Sequence, residues 1–400
     1  MANVSSSNGL EKYPKLRFKG FSEPWNAIRF GDIVDEYSDR TKEENEDILL
    51  SAAIEGMFLN SELFDHQRGA SNKGYKKIDM GTLVLSTQNL HLGNANVNLR
   101  FEHGMVSPAY KTYHIHDCSI GLIAEWVKSE KAKRFFYDAT TVGASVCRRN
   151  VEWDTLYDQP LYLPSEEEQE CLATFLSALS SRIKKQTELV EHLKKYKRGA
   201  ITLILSNKDT SWKSGRLGDF ITINRGGSPR PIEAFITNDP DGVNWIKIGD
   251  VSEDSLYITQ TAEKITAEGS RKSRKVFAGD LILSNSMSFG RPYIMQIEGC
   301  IHDGWLLLRD DGACFDKKYL CYYLASDEVL AQYKKYAAGS CVSNLNSELV
   351  SNVFIEFPPL EKQKEIASSL ELLDERINCE IKLLDKLLLI KKGLLQSLFI

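Results

Sequence analysis

The chain has 400 residues, more than a single hydrophobic core usually accommodates, so two or three domains are expected. Hydrophobic residues make up 42% and charged residues 26%, as in soluble globular proteins, and no apolar run approaches the roughly 20 residues of a membrane span. The net charge of −5 argues against a surface covered in positive potential, so nucleic-acid binding would need local basic patches or a basic partner.

The amino terminus and the cysteines point to the cytoplasm. The first residues, MANVSSSNGL, lack the basic start and the apolar core of a signal peptide. The eight cysteines are scattered and none forms a C-x-x-C pair, which favours free, buried thiols in a reducing compartment over a zinc knuckle or a redox motif. We therefore predict a cytoplasmic protein that contacts no membrane.

Residues 1–162 are predicted to form a first mixed α/β domain. The alternation in TLVLSTQ indicates a strand, and Ile120–Phe136 has the pattern of a short helix. Its loops are rich in the side chains that bind bases and phosphates, although a solvated loop is the alternative for each one alone. The DNA-binding candidates of this domain are Arg68, Asn72, Lys73, Gln88, Asn89, His91, Asn94, Arg148 and Arg149.

Residues 163–205 are predicted to form a long central helix. Ser165 is a suitable N-cap with Glu168 as its capping-box partner, and the acidic first turn suits the positive end of the helix dipole. Lysines and an arginine fill the last turn, and Gly199 is a plausible stop.

The apolar stripe of this helix advances in steps of four and three residues, which indicates a coiled-coil seam. Its members are Leu172, Leu176, Leu179, Ile183, Gln186, Val190 and Leu193. The polar Gln186 either fixes the register of a buried seam or lies solvated at its edge, and the sequence leaves both open.

Residues 206–356 are predicted to form a second mixed α/β domain. Strands are expected in NWIKIGDV and DLILSNS, and a helix at Lys317–Ala337. In NRGGSPRP, glycines that let the backbone approach a ligand stand beside two arginines, the preferred readers of guanine. The DNA-binding candidates of this domain are Arg225, Ser228, Arg230, Lys247, Asn285, Ser286, Arg291 and Asn344.

Residues 357–400 repeat the central helix without a gap over about 36 positions. The second seam has the same steps and a polar break at the equivalent place. Its members are Ile366, Leu370, Leu373, Ile377, Glu380, Leu384 and Leu387. Fainter matches upstream, such as MGTLVLS with AGDLILS, extend the repeat into the domains. We therefore predict an α/β (α+β) protein with two repeated globular domains, whose two long helices form an antiparallel coiled coil with pseudo-two-fold symmetry.

No catalytic motif is convincing in this sequence. There is no phosphate loop, dinucleotide fingerprint, G-x-S-x-G or H-E-x-x-H pattern. His114 and His116 alternate on a predicted strand, but no further ligand stands at a typical spacing, so no metal site is predicted. The sequence therefore indicates recognition and not catalysis.

The order of these elements resembles the specificity (S) subunit of type I restriction–modification systems. The resemblance spans the chain and is most specific in the two repeated helices, LPSEEEQ onward and PPLEKQKEIASSLELLDERI. VSPAY, GDLILSNS and KIGDV are similar to recurrent elements of the target-recognition domains of this family.

The resemblance implies a subunit without catalytic activity or cofactor of its own. Each target-recognition domain is expected to read one half of a split, asymmetric double-stranded DNA site, and the helices to fix the spacer between the halves. The implied partners are two modification (M) methyltransferase subunits, which use S-adenosylmethionine, and two restriction (R) subunits, which use ATP and Mg. The competing hypotheses are a coiled-coil scaffold that never contacts DNA and an enzyme with an unrecognised active site.

Overall fold

The computed structural model describes residues 12–64, 71–145, 148–251, 255–285, 290–310, 314–338 and 344–400. Its contacts divide the chain into two compact units. Unit 1 comprises residues 1–187 and 383–400, and unit 2 comprises residues 188–382. Each predicted globular domain therefore lies in one unit, together with parts of both long helices.

Unit 1 is built around a four-stranded sheet with the strand order β2-β9-β6-β7, supplemented by the pairs β1-β12, β3-β4, β5-β8 and β10-β11. Its strands are β1 (Asn26–Arg29), β2 (Val34–Tyr37), β3 (Leu50–Ala53), β4 (Gly56–Leu59), β5 (Lys76–Asp79), β6 (Leu83–Ser86), β7 (Ala95–Val97), β8 (His103–Val106), β9 (Tyr110–Ile115), β10 (Thr140–Ser145), β11 (Arg148–Val151) and β12 (Pro160–Leu163). Its helices are α1 (Asn60–Leu63), α2 (Ile120–Trp126), α3 (Glu130–Asp138), α4 (Trp153–Asp158) and the beginning of α5 (Glu166–Ser206).

Unit 2 contains two five-stranded sheets, β14-β23-β20-β21-β17 and β15-β18-β16-β22-β19, and the pair β13-β24. Its strands are β13 (Lys213–Arg216), β14 (Thr222–Arg225), β15 (Ile236–Thr237), β16 (Val243–Ile246), β17 (Tyr257–Ile258), β18 (Glu263–Ile265), β19 (Arg274–Val276), β20 (Leu281–Ser284), β21 (Pro292–Met295), β22 (Gly299–Ile301), β23 (Trp305–Arg309) and β24 (Phe354–Phe357). Its helices are α6 (Ala267–Arg271), α7 (Lys317–Leu324), α8 (Asp327–Ala338), α9 (Ser347–Ser351) and the beginning of α10 (Leu360–Leu398).

The repeated strands β6 and β20 are fully buried because each separates two hydrophobic clusters. Alternate side chains of a strand point to opposite faces of the sheet. Leu83 therefore joins the main core of unit 1, and Val84 joins a second cluster on the other face. In β20, Leu281 joins one core of unit 2 and Ile282 the other. The repeat between MGTLVLS and AGDLILS thus corresponds to a shared packing arrangement.

The predicted helices over Ile120–Phe136 and Lys317–Ala337 are each two helices. The first breaks between α2 and α3, where the Ser129 side chain accepts a hydrogen bond from Ala132 N and starts a new helix. The second breaks between α7 and α8, where the Ser326 hydroxyl accepts from Val329 N. In both, a serine that competes for backbone hydrogen bonds divides one apolar pattern.

The prediction that the central helix stops at Gly199 is wrong. Helix α5 has 41 residues and continues through this glycine to Ser206, as the 39-residue α10 continues through Gly393. A glycine inside a helix costs about 1 kcal/mol relative to alanine. Burial of Leu205 in a core of unit 2 offsets that cost for α5, and burial of Leu395 and Leu398 in the core of unit 1 offsets it for α10. No helix in the described ranges is both long enough and apolar enough to span a membrane.

The predicted seam residues are buried or half-buried in both long helices, whereas most of their neighbours are exposed. The polar members follow the same pattern, because Gln186 is 2% exposed and Glu380 is 7% exposed. Burial favours the interpretation of these two residues as polar members of a sequestered seam over that of a solvated edge.

A repeated glutamine joins the start of each long helix to its own domain. In unit 1, Gln169 Oε1 accepts a hydrogen bond of 2.9 Å from the backbone N–H of Ser119, the N-cap of α2. In unit 2, Gln363 Oε1 accepts one of 2.9 Å from the N–H of Asp316, the N-cap of α7. Both glutamines are buried. The repeat therefore preserves the connection between domain and helix.

A repeated lysine makes a second connection within each unit. Lys197 Nζ lies 2.6 Å from Asp374 Oδ1, and Tyr322 of α7 donates a hydrogen bond of 2.7 Å to the other oxygen of that carboxylate. In unit 1, Lys391 Nζ lies 2.7 Å from Glu125 Oε2 on α2 and 2.6 Å from the Ser180 hydroxyl. In each unit, the two long helices are thereby tied to the same part of the domain.

We expect Gln363→Ala to lower the local free energy of unfolding of unit 2 by about 2–3 kcal/mol, since loss of a buried hydrogen-bonding partner leaves others unsatisfied. The side chain also donates to Cys314 O at 3.0 Å and Pro358 O at 2.9 Å. Native-state hydrogen exchange, which resolves unit 2 from unit 1, measures the change. The control is Gln296→Ala at an exposed position, expected to change the value by less than about 0.5 kcal/mol. Equal changes in both variants would contradict the anchoring role.

Candidate nucleic-acid interface

Two equivalent loops follow the repeated strands β6 and β20, and both are closed by the same hydrogen bonds. The backbone N–H of Ser86 donates to Asn94 O at 3.1 Å, and that of Ser284 donates to Arg291 O at 2.9 Å. Just before each closing residue stands a glycine in the left-handed region, Gly93 with φ 91° and Gly290 with φ 74°. Glycine adopts this conformation without the strain that a side chain would cause. The predicted polar loops of the two halves are therefore structural counterparts.

In unit 1, the loop after β6 brings predicted site residues to the surface. Gln88 and Asn89 are exposed, and His91 lies close enough to Arg149 for the two to interact. Partial burial and the positive charge of Arg149 lower the pKa of His91, so the imidazole is neutral at physiological pH.

Arg149, on β11, is held in place by one residue of β10 and one of α3. Its Nε and one terminal nitrogen donate to the hydroxyl and the carbonyl of Thr140, each at 2.7 Å. Its guanidinium also lies 4.1 Å from the ring centroid of Tyr137. A fixed guanidinium loses less conformational entropy when it binds a phosphate or a base.

Asn72 and Asn94 were predicted to contact DNA, but the structure gives them structural roles. Asn72 is 1% exposed, and its amide exchanges hydrogen bonds with Asn45, which adopts a left-handed conformation with φ 55°. Asn94 is also buried and donates to Ala52 O at 3.2 Å. Since their amide groups stabilise turns inside the domain, neither is available to a base.

A half-buried lysine supports the same turn as Asn94. Lys128 Nζ donates to Ile54 O at 3.0 Å, and burial lowers the pKa of this lysine to about 8. The adjacent Asn96 donates to Ala53 O at 2.8 Å. Together these side chains provide hydrogen-bond donors for the backbone carbonyl groups at the end of β3.

The remaining predicted residues of unit 1 are not brought into this group. Lys73 is exposed, on the segment that follows the undescribed residues 65–70. Arg68 lies outside the described residues. Arg148 begins β11, but its side chain lies outside the description.

In unit 2, the predicted loop residues Arg225, Ser228 and Arg230 converge on Asp303, which the sequence did not single out. The Ser228 hydroxyl donates to Asp303 Oδ1 at 2.7 Å, and Arg230 lies 3.5 Å from Oδ2. Arg225 Nε donates to the Asp303 carbonyl at 3.3 Å. The hydrogen bond from Ser228 and the charges of His302 and Arg225 hold the pKa of Asp303 below its ordinary value, so it is ionised at neutral pH.

Asn285 joins this group as a support and not as a reader. The side chain is buried and donates to the Asp303 carbonyl at 2.9 Å, while the backbone carbonyl of Asn285 accepts from the backbone N–H of Leu345 at 3.0 Å. The second bond brings the exposed Asn344 close to the same loop. The neighbouring Ser286 lies outside the described residues.

A basic run beside the Arg225 loop was missed in the sequence. Four of the five residues from Arg271 to Lys275 are basic, and all four are exposed. Arg274 Nε donates to Arg225 O at 3.2 Å, and the Ser273 hydroxyl donates to Gly227 O at 2.6 Å. Such charge clustering is itself a sequence signal for a phosphate-binding patch. The basic run and the arginine loop thus form one surface.

Two other predicted residues of unit 2, Lys247 and Arg291, have surroundings different from those of the group around Asp303. Lys247 is paired with Glu263, which neutralises its charge locally. Arg291 borders a cavity of about 760 Å³ in unit 2, whose other cationic lining residues are Lys194, Lys197, Arg198 and Lys334.

A family profile, the type I restriction modification DNA specificity domain, matches residues 210–389. The type I restriction enzyme MjaVIII specificity subunit of Methanocaldococcus jannaschii is 27% identical over 191 residues, which cover 47% of this chain and 42% of that protein. Most of the second half of the chain therefore matches the DNA specificity domain of type I restriction–modification systems. The matched region spans less than half the length of that relative.

Solved structures of the specificity family share the fold. The S subunit of a type I restriction–modification system from M. genitalium superposes with a TM-score of 0.56, covering 97% of this chain and 99% of that one at 14% identity. A chain from a structural study of complex assembly in the type I system superposes with a TM-score of 0.59, covering 93% of this chain and 96% of that one at 17% identity. The chain therefore shares its fold with these two structures.

The specificity-domain match contains the whole basic and polar surface around Asp303. Among the described residues, no group of three or more His, Cys, Asp or Glu side chains is arranged to hold a metal ion. The side chains that converge in unit 2 are guanidinium, hydroxyl and carboxylate groups suited to hydrogen bonding with bases and phosphates.

Proposed function

We propose that this chain is the DNA-reading specificity subunit of a type I restriction–modification complex and has no catalytic activity of its own. Each unit reads one half of a bipartite, asymmetric double-stranded DNA site. The observation that carries the proposal is the pair of equivalent loops, closed by the same hydrogen bonds, in a chain with the DNA specificity domain. Repeated scaffolds with different loop side chains suit two different half-sites.

In unit 1, the proposed base-reading residues are the exposed Gln88 and Asn89, because amide side chains pair with adenine in two hydrogen bonds. His91 lies beside them as a neutral imidazole, which both donates and accepts hydrogen bonds. Arg149 and Lys73 supply positive charge for phosphates, which fix the position of the domain on DNA without reading sequence.

In unit 2, Arg230 is the proposed base reader. Its guanidinium is exposed and arginine is the most common reader of guanine, to which it donates two parallel hydrogen bonds. The exposed run of Arg271, Lys272, Arg274 and Lys275 is the proposed phosphate contact of the same half-site. Local patches of this kind allow binding despite a net charge of −5.

The long helices are proposed to pair as an antiparallel coiled coil that sets the spacer between the half-sites. Two observations support this pairing. In unit 1, residues from the start of α5 and the end of α10 share one hydrophobic core. In unit 2, Leu205 near the end of α5 shares a core with Ile366 and Leu370 near the start of α10. Because the start of each helix packs with the end of the other, α5 and α10 run antiparallel. Since the two helices repeat one sequence, this pair has a pseudo-two-fold axis.

The proposed partners on the protein side are two M and two R subunits. Apolar side chains stay exposed at equivalent positions of the two helices, Tyr196 on α5 and Ile390 on α10, each more than half exposed. Exposed apolar residues at repeated positions suit a partner that binds twice. S-adenosylmethionine, ATP and Mg then belong to those partners, and the complex acts in the cytoplasm.

The experiment that tests this function combines the purified chain with its cognate M subunit, S-adenosylmethionine and DNA. The mixture is expected to methylate one bipartite sequence and to bind it in a salt-dependent gel shift, while the chain alone neither methylates nor cuts. Activity of the chain alone would point to an unrecognised active site. If the M subunit methylates the same DNA sequence whether or not this chain is present, the chain is a scaffold that does not contact DNA.

A further inference from the structure

Asp303 occupies the tight connection between β22 and β23, directly behind the proposed reading loop of unit 2. The Ser228 hydroxyl makes two bonds with this residue, since it donates to the carboxylate at 2.7 Å and accepts from the backbone N–H at 3.3 Å. The Asp303 carbonyl accepts from Arg225 and from Asn285. Both the side chain and the backbone of this single residue therefore hold the loop.

The connection that carries Asp303 is itself rigid. The backbone N–H of Trp305 donates to the His302 carbonyl at 3.1 Å, and the backbone N–H of Gly304 donates to His302 Nδ1 at 2.6 Å. Trp305 is completely buried and stacks edge-on against Tyr293. An acidic group on so fixed a turn keeps its position when a ligand approaches the loop.

The negative charge of Asp303 also affects what can bind to Arg230, in addition to the hydrogen bonds that Asp303 makes. Its side chain is 42% exposed and lies 3.5 Å from the guanidinium of Arg230, which is 79% exposed. A carboxylate at this place repels a DNA phosphate that approaches Arg230, because like charges at close range are unfavourable. The base edge of guanine carries neutral acceptors, so the same carboxylate opposes its binding far less.

We propose that Asp303 is a positioning residue that sets the specificity of the half-site read by unit 2. It orients Arg230 toward base edges and reduces the binding of that arginine to phosphates of any sequence. This inference rests on the proposed DNA-reading function. The exposed carboxylate acts through the arginine loop and makes no contact with a base.

The experiment uses the complex of the full chain with its M subunit and compares the unmodified chain with Asp303→Asn, Arg230→Ala and Glu298→Gln. Asparagine keeps the shape and an acceptor for Ser228 while it removes the charge. Glu298→Gln removes one charge at another exposed position of unit 2 and serves as the control. DNA binding is measured by fluorescence anisotropy against salt concentration, for the cognate site, for sites mutated in either half, and for unrelated DNA.

Asp303→Asn is expected to tighten binding to unrelated DNA about fivefold at physiological salt and to steepen the salt dependence by about one phosphate contact. Discrimination against mismatches in the unit 2 half-site is expected to fall at least about tenfold, as it does in Arg230→Ala, while discrimination in the other half stays unchanged. Arg230→Ala is expected to weaken binding to unrelated DNA, so the two variants differ in sign there.

Three outcomes overturn the inference while the proposed function stands, and the first two concern Asp303→Asn. One is unchanged discrimination in Asp303→Asn although the unmodified complex reads both half-sites. The other is a clean change to a new preferred base pair with unaltered binding to unrelated DNA, which assigns Asp303 a direct contact with a base. If the unmodified complex binds no sequence selectively, the proposed function itself fails. If Glu298→Gln has the same effects as Asp303→Asn, those effects come from the change in net charge alone, which also overturns the inference.

Discussion

Exchange of residues 206–356 for the corresponding segment of a type I specificity subunit should replace one half of the recognised DNA sequence and leave the other half unchanged. The proposed base reader Arg230, the basic run 271–275 and the positioning residue Asp303 all lie within this segment. The loops of unit 1 lie outside it. Sequencing of methylated sites in cells that carry the chimera and the M subunit measures both half-sites at once.

The structure indicates which contacts the exchange must preserve. Strand β13 pairs with β24 from Lys213 opposite Phe357 to Arg216 opposite Phe354, so the exchange transfers both strands together except for Phe357, which the recipient keeps. The donor also needs an N-cap residue whose N–H reaches Gln363, and a side chain that bonds to Asp374 as Tyr322 does. A donor domain that lacks these partners would leave buried polar groups of α10 unsatisfied, at a cost of about 1–3 kcal/mol each.

The matched control is the reciprocal exchange of residues 1–162, which should change the other half-site. If one exchange alters the bases read in both halves, recognition is not divided between the units. If neither exchange alters any base, the DNA contacts lie outside these segments. A chimera that loses all methylation is distinguished by testing whether it still forms a complex with the M subunit.

Local and repeated features of the fold were predictable from the sequence, because they depend on neighbours along the chain. The heptad steps placed the buried faces of α5 and α10 correctly, and the match of MGTLVLS with AGDLILS identified the paired buried strands. The ends of the helices were not predictable in the same way. Gly199 terminates a helix only where no packing beyond it compensates, and Leu205 supplies that packing.

The candidate site was predictable only in part, because its centre depends on contacts distant in sequence. The NRGGSPRP loop was recognised by its composition, but Asp303 stands in IHDGW, which has the composition of an ordinary turn. The two meet because β14 pairs with β23, with Arg225 opposite Leu306. Asn72 was wrongly predicted to bind DNA because an asparagine amide can pair with a base. The structure instead buries this amide, which forms a hydrogen bond with Asn45.

Insertion of four helical residues after Gln186, together with four after Glu380, should lengthen the spacer between the half-sites and leave the bases of both halves unchanged. Four residues add about 6 Å to a helix, which corresponds to about two base pairs of DNA. Methylation of a site with the original spacer should fall on the order of a hundredfold, since only one half-site remains correctly placed. A library of sites that differ only in spacer length, read by methylation sequencing, measures the new optimum.

The position of the insertion follows from the buried polar residues of the seam. Gln186 and Glu380 are the equivalent polar members of the two stripes, so insertion at both keeps the repeats equal in length. Four residues rotate a helix by about 40° beyond one full turn, whereas seven residues keep the heptad phase. A seven-residue insertion at both positions is therefore the matched control, expected to lengthen the spacer by about three base pairs with smaller loss of stability. An unchanged spacer in both variants, with normal assembly, would show that the helices do not set the distance between the half-sites.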